Sequence, residues 1–399
     1  MDLTRQQVLA YRVHAHQLDR TGDHPVTDAD VLDLGIQDTG TDGALWSLAN
    51  RGVRVPDEGW PEELVLVWTL RGAPHAYRRT DLPAVARATS PLSEADAAKR
   101  VFDAAKPLRA AGLPVLEALE TVAATMRDIV VEPTAKGEMS AALTARLDEP
   151  HLRFCRPCDA VHVHELPFRL AALQAGLELT PGTSPPVLRR IGGWQGPADR
   201  APARLDPLRA FLHLNGPAAP QVVAAYLDAP VTDVRAHWPD DAAEVAVAGE
   251  RRWALADDLP ALRAASQLDG PVRLLAPFDP LLQTKDRELL VPVEAHRKRL
   301  WVALGRPGAV LSGHEVVGTW RPRASGRRLR LEVDRWADLP ERPFIEQAEL
   351  LAASRGLTFA GSSGGAGPAA SAAPGTRAPR APRRPAGPAS PGAAPTPAR

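Results

Sequence analysis

The sequence predicts an α+β protein made of three tandem winged-helix motifs, a small antiparallel β-barrel and a disordered C-terminal tail. Three observations predict this fold: a helix-turn-helix with a hairpin, similar helix-and-hairpin units upstream of it, and a run of short strands downstream. The units share no obvious sequence identity, so the repeat is one of architecture. We expect three winged helices, a barrel, a C-terminal helix and a tail, with boundaries at 1–88, 89–200, 201–268, 269–335, 336–356 and 357–399.

The first predicted unit has three helices and a hairpin. Apolar residues at helical spacing predict helices near the N terminus, after a cap at Thr27, and over residues 42–49. An apolar run over residues 63–70 ends at a glycine turn, so we expect a hairpin there.

The second predicted unit repeats this order with three helical segments and two short strands. Helical periodicity is found in residues 93–106, 115–129 and 137–147, and strand-like runs follow at 152–154 and 160–164. Units of this kind in series favour a tandem array over one domain with insertions.

The third unit carries the most complete pattern, in residues 218–255. A helix with proline in its first turn ends at Pro230, and a second helix, the candidate recognition helix, follows. Two alternating runs joined at a glycine then predict a hairpin with Arg251 and Arg252 on its rim. Together these elements indicate nucleic-acid binding, although winged helices also serve as protein-contact modules.

From residue 271 to residue 333 the pattern changes to short strands separated by glycine turns, which predicts the barrel. Two of the expected strands lie at 289–293 and 300–304. One hairpin is rich in arginine, which indicates a DNA contact; the alternative is a solvated charged face. Its arginines are Arg321, Arg323, Arg327, Arg328 and Arg330.

Composition limits the classes of function. The chain has 399 residues, is 44% hydrophobic and has no formal net charge, so a DNA-binding surface must be local. No apolar run is long enough to span a bilayer and the N terminus lacks signal-peptide features, so we expect a cytoplasmic, nucleoid-associated protein with no membrane contact. The segment after Leu357 is rich in Gly, Ala, Pro and Arg and contains no acid, which predicts a disordered tail.

Cys155 and Cys158 are the only cysteines, too few and too close together for a disulfide framework. With His162 and His164 they have the spacing of metal ligands, because a Cys-x-x-Cys turn offers two thiolates and alternate strand residues project from one face. Two interpretations remain: a structural zinc site, with His151 as a substitute ligand, and two ordinary thiols.

Five motifs occur in order along the chain: Leu3-Thr4-Arg5 with Tyr11-Arg12, Leu34-Gly35-Ile36-Gln37-Asp38-Thr39, Leu70-Arg71-Gly72-Ala73-Pro74-His75, Pro277-Phe278-Asp279-Pro280-Leu281-Leu282 and Gly318-Thr319-Trp320-Arg321. Together they resemble the AlkZ/YcaQ-like winged-helix DNA glycosylase family. The resemblance covers nearly everything before the tail. It implies three winged helices around a C-terminal barrel that form a concave DNA-binding surface, and the removal of bulky alkylated or crosslinked bases.

The resemblance also implies a catalytic glutamine motif, Gln-x-Gln or Gln-x-Asp, in the first winged helix. Gln37 matches the first position and Thr39 occupies the second, with Asp38 between them. In extended backbone Gln37 and Thr39 share a face and can address one water, whereas Asp38 points away unless the chain turns tightly after it. A hydroxyl orients water but is not a strong base. The alternative interpretation of residues 38–42 is a helix-capping turn.

The resemblance places His75 near the same cleft, as a proton donor to the leaving base or a phosphate contact; the alternative is a polar side chain satisfied within its hairpin. We interpret the protein as a DNA glycosylase, or alternatively as a non-catalytic regulator or damage sensor. We expect duplex DNA as the partner, no protein partner, no required cofactor, and a monomer. The expected DNA contacts are Arg12, Arg71, Arg251, Arg252 and the five arginines of the basic hairpin.

Overall fold

The computed structural model describes residues 1–40, 43–56, 59–265 and 270–364. At the N terminus, the second predicted helix is replaced by two 3₁₀ turns, because Ala29 between them has extended backbone and interrupts the helix. The first elements are β1 (Asp2–Leu3), α1 (Arg5–Ala15), β2 (Ile36–Gln37), α2 (Ala44–Ala49), β3 (Leu64–Trp68) and β4 (Pro74–Arg78).

The middle of the chain contains the three predicted helical segments and the two predicted strands. It also contains further short strands that the periodicity did not indicate. The elements are α3 (Leu82–Thr89), α4 (Glu94–Arg100), α5 (Ala105–Ala110), α6 (Val115–Ile129), β5 (Thr134–Ala135), α7 (Lys136–Thr144), β6 (Leu152–Cys155), β7 (Ala160–Val163), α8 (Glu165–Ala171), β8 (Leu177–Leu179) and β9 (Val187–Arg190).

These first two parts are joined by one sheet of six strands, in the order β2-β4-β3-β8-β9-β5. The strands β6 and β7 pair only with each other and form a separate hairpin. Because β2 and β4 lie at one end of the shared sheet, the segment that contains the glutamine motif rests on a framework built by both parts.

The third part contains the helix-turn-helix and hairpin that the sequence predicts. The first of its two adjacent helices ends at Asp228, which adopts a left-handed conformation with φ +58°. Strand β1 pairs in parallel with the first hairpin strand, so the N terminus completes a three-stranded sheet. The elements are α9 (Pro207–Asn215), α10 (Pro220–Leu227), α11 (Val231–Ala236), β10 (Ala242–Val247), β11 (Glu250–Leu255) and α12 (Leu259–Ala264).

The fourth part is a sheet whose strands are longer than most others in the described chain. Three short helices separate its first two strands, and a longer helix precedes the last. The elements are β12 (Val272–Leu275), α13 (Pro280–Gln283), α14 (Arg287–Leu290), α15 (Glu294–Leu300), β13 (Gly308–Ser312), β14 (Glu315–Ser325), β15 (Arg328–Arg335), α16 (Glu341–Ser354) and β16 (Thr358–Ser363).

The prediction of a closed barrel is wrong. Within the described residues the sheet is open, with the order β12-β13-β14-β15-β16, and its last strand runs parallel to β15. Helix α16 packs Phe344 and Leu351 against the sheet together with Trp320. Because a helix buries this face, the sheet has no need to close on itself to form a core.

Two predicted strands and part of the predicted tail also need correction. Residues 289–293 and 300–304 lie in or beside the short helices. In the first of these segments, Pro292 has no backbone N–H to donate to a neighbouring strand. Within the range predicted to be disordered, Thr358–Ser363 is the edge strand of the sheet. The rest of that range, from residue 365, lies outside the described residues. No described helix has the length and hydrophobicity needed to cross a membrane.

Two buried ion pairs connect the N-terminal part to the C-terminal part. Arg51, after α2, forms a bidentate pair with Asp279 at 2.8 and 3.0 Å, and neither side chain has exposed surface. Arg12 of α1 and Arg252 of β11 both bind Asp286, at 2.8 and 2.6 Å. Asp279 is thus held by one arginine distant in the chain, and Asp286 by two.

Removal of the Asp279 carboxylate should destabilise the protein strongly, because it leaves the guanidinium of Arg51 buried without its counter-ion. We expect Asp279→Ala to lower the free energy of unfolding by about 3–5 kcal/mol, measured by urea denaturation. The control is Asp338→Ala, which removes an exposed carboxylate and should change stability by about 0.5 kcal/mol or less. Equal effects of the two substitutions would contradict this role of the buried pair.

Candidate active site and DNA-binding surface

Strand pairing brings Gln37 and His75 together. In the antiparallel pair of β2 and β4, Gln37 lies directly opposite His75. Residues opposed in this way project from the same face of the sheet, with Cβ atoms about 4.5–5.5 Å apart. Gln37 is partly exposed, whereas His75 is buried. The pairing therefore places a partly exposed amide and a buried imidazole on one face of the sheet.

Thr39 lies on the same face as Gln37, and the Gln37 Nε2 group donates to Thr39 Oγ1 at 3.0 Å. Asp38 points away, and its Oδ1 accepts a hydrogen bond from the backbone N–H of Ala44 at 2.9 Å. Burial raises the pKa of Asp38, and the hydrogen bond from Ala44 acts in the opposite direction. Asp38 therefore caps α2, which is the capping geometry considered above; residues 41 and 42 lie outside the described residues.

His75 is enclosed by its own hairpin. Its Nδ1 lies 2.9 Å from the carbonyl oxygen of Ala73 and 3.2 Å from Thr69 Oγ1. Because a carbonyl only accepts, Nδ1 carries the proton of the neutral ring. Burial and the charge of Arg71 lower the pKa of His75 to about 3. The imidazole is therefore neutral at pH 7 and does not offer an imidazolium proton to a leaving base.

Arg71 connects this site to two other parts of the chain. It lies in the turn before β4 with φ +58°, and its guanidinium lies 4.8 Å above the ring of Tyr226 in α10. Its charge acts both on His75 and on Lys285. Sequence reasoning missed Lys285, although its place three residues after the motif that ends at Leu282 was a usable signal.

Two of the predicted DNA contacts are wrong. Arg12 has no exposed surface, and Arg252 is buried as well, because both side chains bind Asp286 inside the protein. Arg251 is exposed and pairs with Glu244 at 2.5 Å. Neighbouring strand residues face opposite sides, so Arg251 and Arg252 could not both lie on an exposed rim.

The hairpin formed by β14 and β15 is the arginine-rich hairpin of the sequence analysis, and we call it the basic hairpin. It presents positive charge that is not ion-paired. Arg327, Arg328 and Arg330 are exposed and form no ion pair within the part of the chain that the structure describes. The other two predicted contacts have partners inside the protein: Arg321 donates to the carbonyl of Gly305, and Arg323 pairs with Glu332 at 2.7 Å.

A three-residue group of metal-ligand type lies at the end of the β6–β7 hairpin. The ligand atoms of Cys155, Cys158 and His162 all lie within 4.8 Å of one another. A hydrogen bond with His162 lowers the pKa of the Cys155 thiol to about 7. His164 is not part of the group, which corrects the four-ligand prediction: it is the buried N-cap of α8, so strand alternation has already ended. His151 is buried too and lies outside the group.

Comparison with known proteins identifies the family. Residues 31–358 match the family model described as DNA glycosylase AlkZ-like. The chain therefore belongs to the AlkZ-like DNA glycosylase family, whose substrate is DNA.

One solved structure shows the same fold. Streptomyces sahachiroi DNA glycosylase AlkZ is 20% identical in sequence, and the match has a TM-score of 0.67 over 91% of this chain and 100% of that chain. A comparison with curated proteins gives no match.

The three arginines of the basic hairpin should contribute a measurable part of the affinity for duplex DNA. Because each arginine bound to a phosphate releases a counter-ion, replacement of Arg327, Arg328 and Arg330 by alanine should weaken duplex binding about tenfold. The salt slope should fall by about one for each phosphate that is no longer bound. Fluorescence anisotropy at several salt concentrations measures both. Arg342→Ala, on the exposed face of α16, is the matched control. An unchanged slope would remove the hairpin from the interface.

Proposed function

We propose that this protein hydrolyses the N-glycosidic bond of bulky alkylated or crosslinked bases in duplex DNA. The observation that carries the proposal is the pairing of Gln37 and Thr39 on one face, opposite His75. Since Nε2 of Gln37 donates to Thr39, its carbonyl oxygen can accept a hydrogen bond from a water. That water attacks C1′ of the deoxyribose while the base departs with the electrons of the broken bond, and the proton that the water loses passes to solvent.

The groups around Gln37 favour a base that departs without assistance. His75 is neutral, Asp38 is engaged as a helix cap, and the hydroxyl of Thr39 is a weak base. A purine alkylated at N3 or N7 already carries a positive charge, so its departure needs no proton. The remaining task is to orient water toward the oxocarbenium character that develops on the sugar. Cationic alkylated purines therefore fit this site better than neutral bases.

The proposal extends to architecture and partners. We infer that residues 1–88, 89–200 and 201–268 are three winged helices, and that the helices and the basic hairpin together bind duplex DNA. In this proposal the protein works as a monomer in the cytoplasm, associates with the nucleoid when bound to DNA, and requires no cofactor for base excision.

A second candidate function is DNA binding without catalysis. It is favoured by Thr39 at the second position of the glutamine motif and by the use of the Asp38 carboxylate as a cap. The basic hairpin would serve a damage sensor or regulator equally well. The two functions are distinguished by whether a base is released.

We also infer that Cys155, Cys158 and His162 bind a zinc ion with a structural role. Two thiolates and an imidazole are ligands that zinc prefers in tetrahedral sites. The hairpin that carries them exposes Phe154 and Val161, which are 59% and 52% exposed. A two-stranded hairpin is marginally stable by itself, so a bound ion would give it the rigidity that its packing does not supply.

Loss of the Gln37 amide should separate chemistry from binding. We expect Gln37→Ala to lower the single-turnover rate of base release from N7-methylguanine duplex DNA about tenfold or more, which corresponds to about 1.4 kcal/mol of barrier, with affinity for the duplex nearly unchanged. Alkaline cleavage of abasic sites measures base release. Thr39→Ala tests the contribution of the hydroxyl that accepts from the Gln37 amide. Asp38→Asn tests whether the Asp38 carboxylate takes part in base release in addition to capping α2.

The outcome for the wild-type protein decides between the two functions. Release of N7-methylguanine without release of uracil from a matched duplex supports the preference for cationic bases. Binding of alkylated duplex without release of any base would reject the glycosylase proposal and leave the DNA-binding alternative.

Zinc binding can be tested by measuring the metal content of the purified protein. Protein prepared without a metal-affinity tag should contain about one zinc ion per chain by elemental analysis, and a chelator should lower its melting temperature. His162→Gln should lose the ion, whereas the matched variant His164→Gln should keep it. Metal well below one per chain in the wild-type protein would contradict the site.

A further inference from the structure

Four basic side chains converge beside the candidate active site without an acidic partner. Arg71, Lys285, Arg287 and Arg306, which we call the cationic cluster, come from the turn before β4, the segment after α13, α14 itself and the loop before β13. Lys285 lies within electrostatic range of all three arginines. Within the part of the chain that the structure describes, none of the four forms an ion pair.

Three aromatic rings hold the arginines of the cluster. Arg71 lies 4.8 Å above the ring of Tyr226, Arg287 5.0 Å above Trp301 and Arg306 4.8 Å above Phe278. Stacking of this kind fixes a guanidinium while it leaves donors at its edge for an anion, although one donor of Arg71 is used by the carbonyl of Tyr226. Lys285 has neither a ring nor a hydrogen-bond partner among the described residues. The cluster is therefore three positioned guanidinium groups around one free amine.

Lys285 lines a cavity in which most of the other basic residues do have acidic partners. The cavity has a volume of about 900 Å³, and four of the basic residues that line it are paired with acids. Only Lys285 and Arg287 lack such a partner among the described residues that line it. The four pairs are Arg5–Glu315, Arg252–Asp286, Arg297–Glu288 and Lys298–Glu294.

Half-buried positive charges that converge without an ion-paired acid are costly in the free protein, and an anionic ligand offsets that cost. The phosphates of a DNA strand are such a ligand. Burial and the charges of Arg71, Arg287 and Arg306 lower the pKa of Lys285 to about 8, and the charge of Asp228 acts in the opposite direction. About one amine in ten is then neutral and nucleophilic at pH 7, far more than for an ordinary exposed lysine.

We propose that the cationic cluster binds the phosphates that flank an abasic site and that Lys285 forms a Schiff base with the sugar, which gives the protein a strand-cleaving lyase activity. The proposal rests on the proposed function for the source of abasic sites, since base excision in the adjacent site would generate them. The carrying geometry is the convergence of Arg71, Arg287 and Arg306 on Lys285, together with the action of the Arg71 charge on His75.

The chemistry needs no further reactant. The Nζ lone pair of Lys285 attacks the C1′ aldehyde of the ring-opened sugar, a C–N bond forms, and the C1′ oxygen leaves as water. The iminium acidifies C2′, whose proton passes to solvent. The C3′–O bond then breaks, and its electron pair leaves with the 3′ phosphate, whose charge the arginines stabilise. Hydrolysis of the imine returns the amine.

The test uses the full-length protein and a duplex in which an abasic site has been made beforehand by removal of uracil. With borohydride present, we expect a covalent protein–DNA adduct on a denaturing gel, carried by the tryptic peptide 274–287 that contains Lys285. Lys285→Arg keeps the charge and should lower adduct formation at least tenfold. Lys298→Arg replaces an exposed, paired lysine nearby and is the matched control, with an unchanged adduct.

The initial rate of adduct formation should rise with pH, reach half its maximum near pH 8 and level off above it, as the Lys285 amine loses its proton. Absence of an adduct with the wild-type protein, attachment to another amine, or full trapping by Lys285→Arg would overturn the proposal. Because the abasic site is supplied, these outcomes do not depend on base excision. The experiment therefore distinguishes a missing lyase activity from a missing glycosylase activity.

Discussion

The buried pair of Arg51 and Asp279 is the interaction on which the position of the candidate site depends. Besides the carboxylate, the Arg51 guanidinium binds the carbonyl of Ser47 in α2 at 2.6 Å. Asp279 also accepts from the amide of Leu281 and so begins α13. One fully buried ion pair thus fixes α2 against the C-terminal part. Since Asp38 caps α2, the strand that carries Gln37 is held by the same chain of contacts.

The second buried ion pair explains how a chain without net charge builds a positive surface. Asp286 is surrounded by Arg12 and Arg252, so it is not available to the basic residues on either side of it. Lys285 and Arg287 are therefore left without an acid close to the candidate site. A buried carboxylate is compensated by arginines from elsewhere in the chain, and the unmatched charge remains at the surface where DNA would bind.

The candidate site combines a preorganised amide with surroundings that supply little acid–base catalysis. His75 is buried and neutral, with its Nδ1 satisfied by the carbonyl of Ala73, so it contributes shape and a fixed polar edge. Thr39 orients the amide of Gln37. Such an arrangement is suited to a reaction in which the leaving group is already activated, because the barrier that remains is the placement of water and the stabilisation of charge on the sugar.

The sequence by itself determined the local elements and the family. Helical periodicity located α6 and the helix-turn-helix, and ordered motifs indicated the DNA glycosylase family, because both depend only on residues close together in the chain. Alternation in extended backbone also separated Asp38 from the face that Gln37 and Thr39 share. Only the tertiary structure decided which charges are buried. Arg12 and Lys285 are both basic residues, yet Arg12 lies in an interior ion pair and Lys285 forms no ion pair among the described residues. Burial and ion pairing join residues that are distant in the chain, and local patterns carry no information about such contacts.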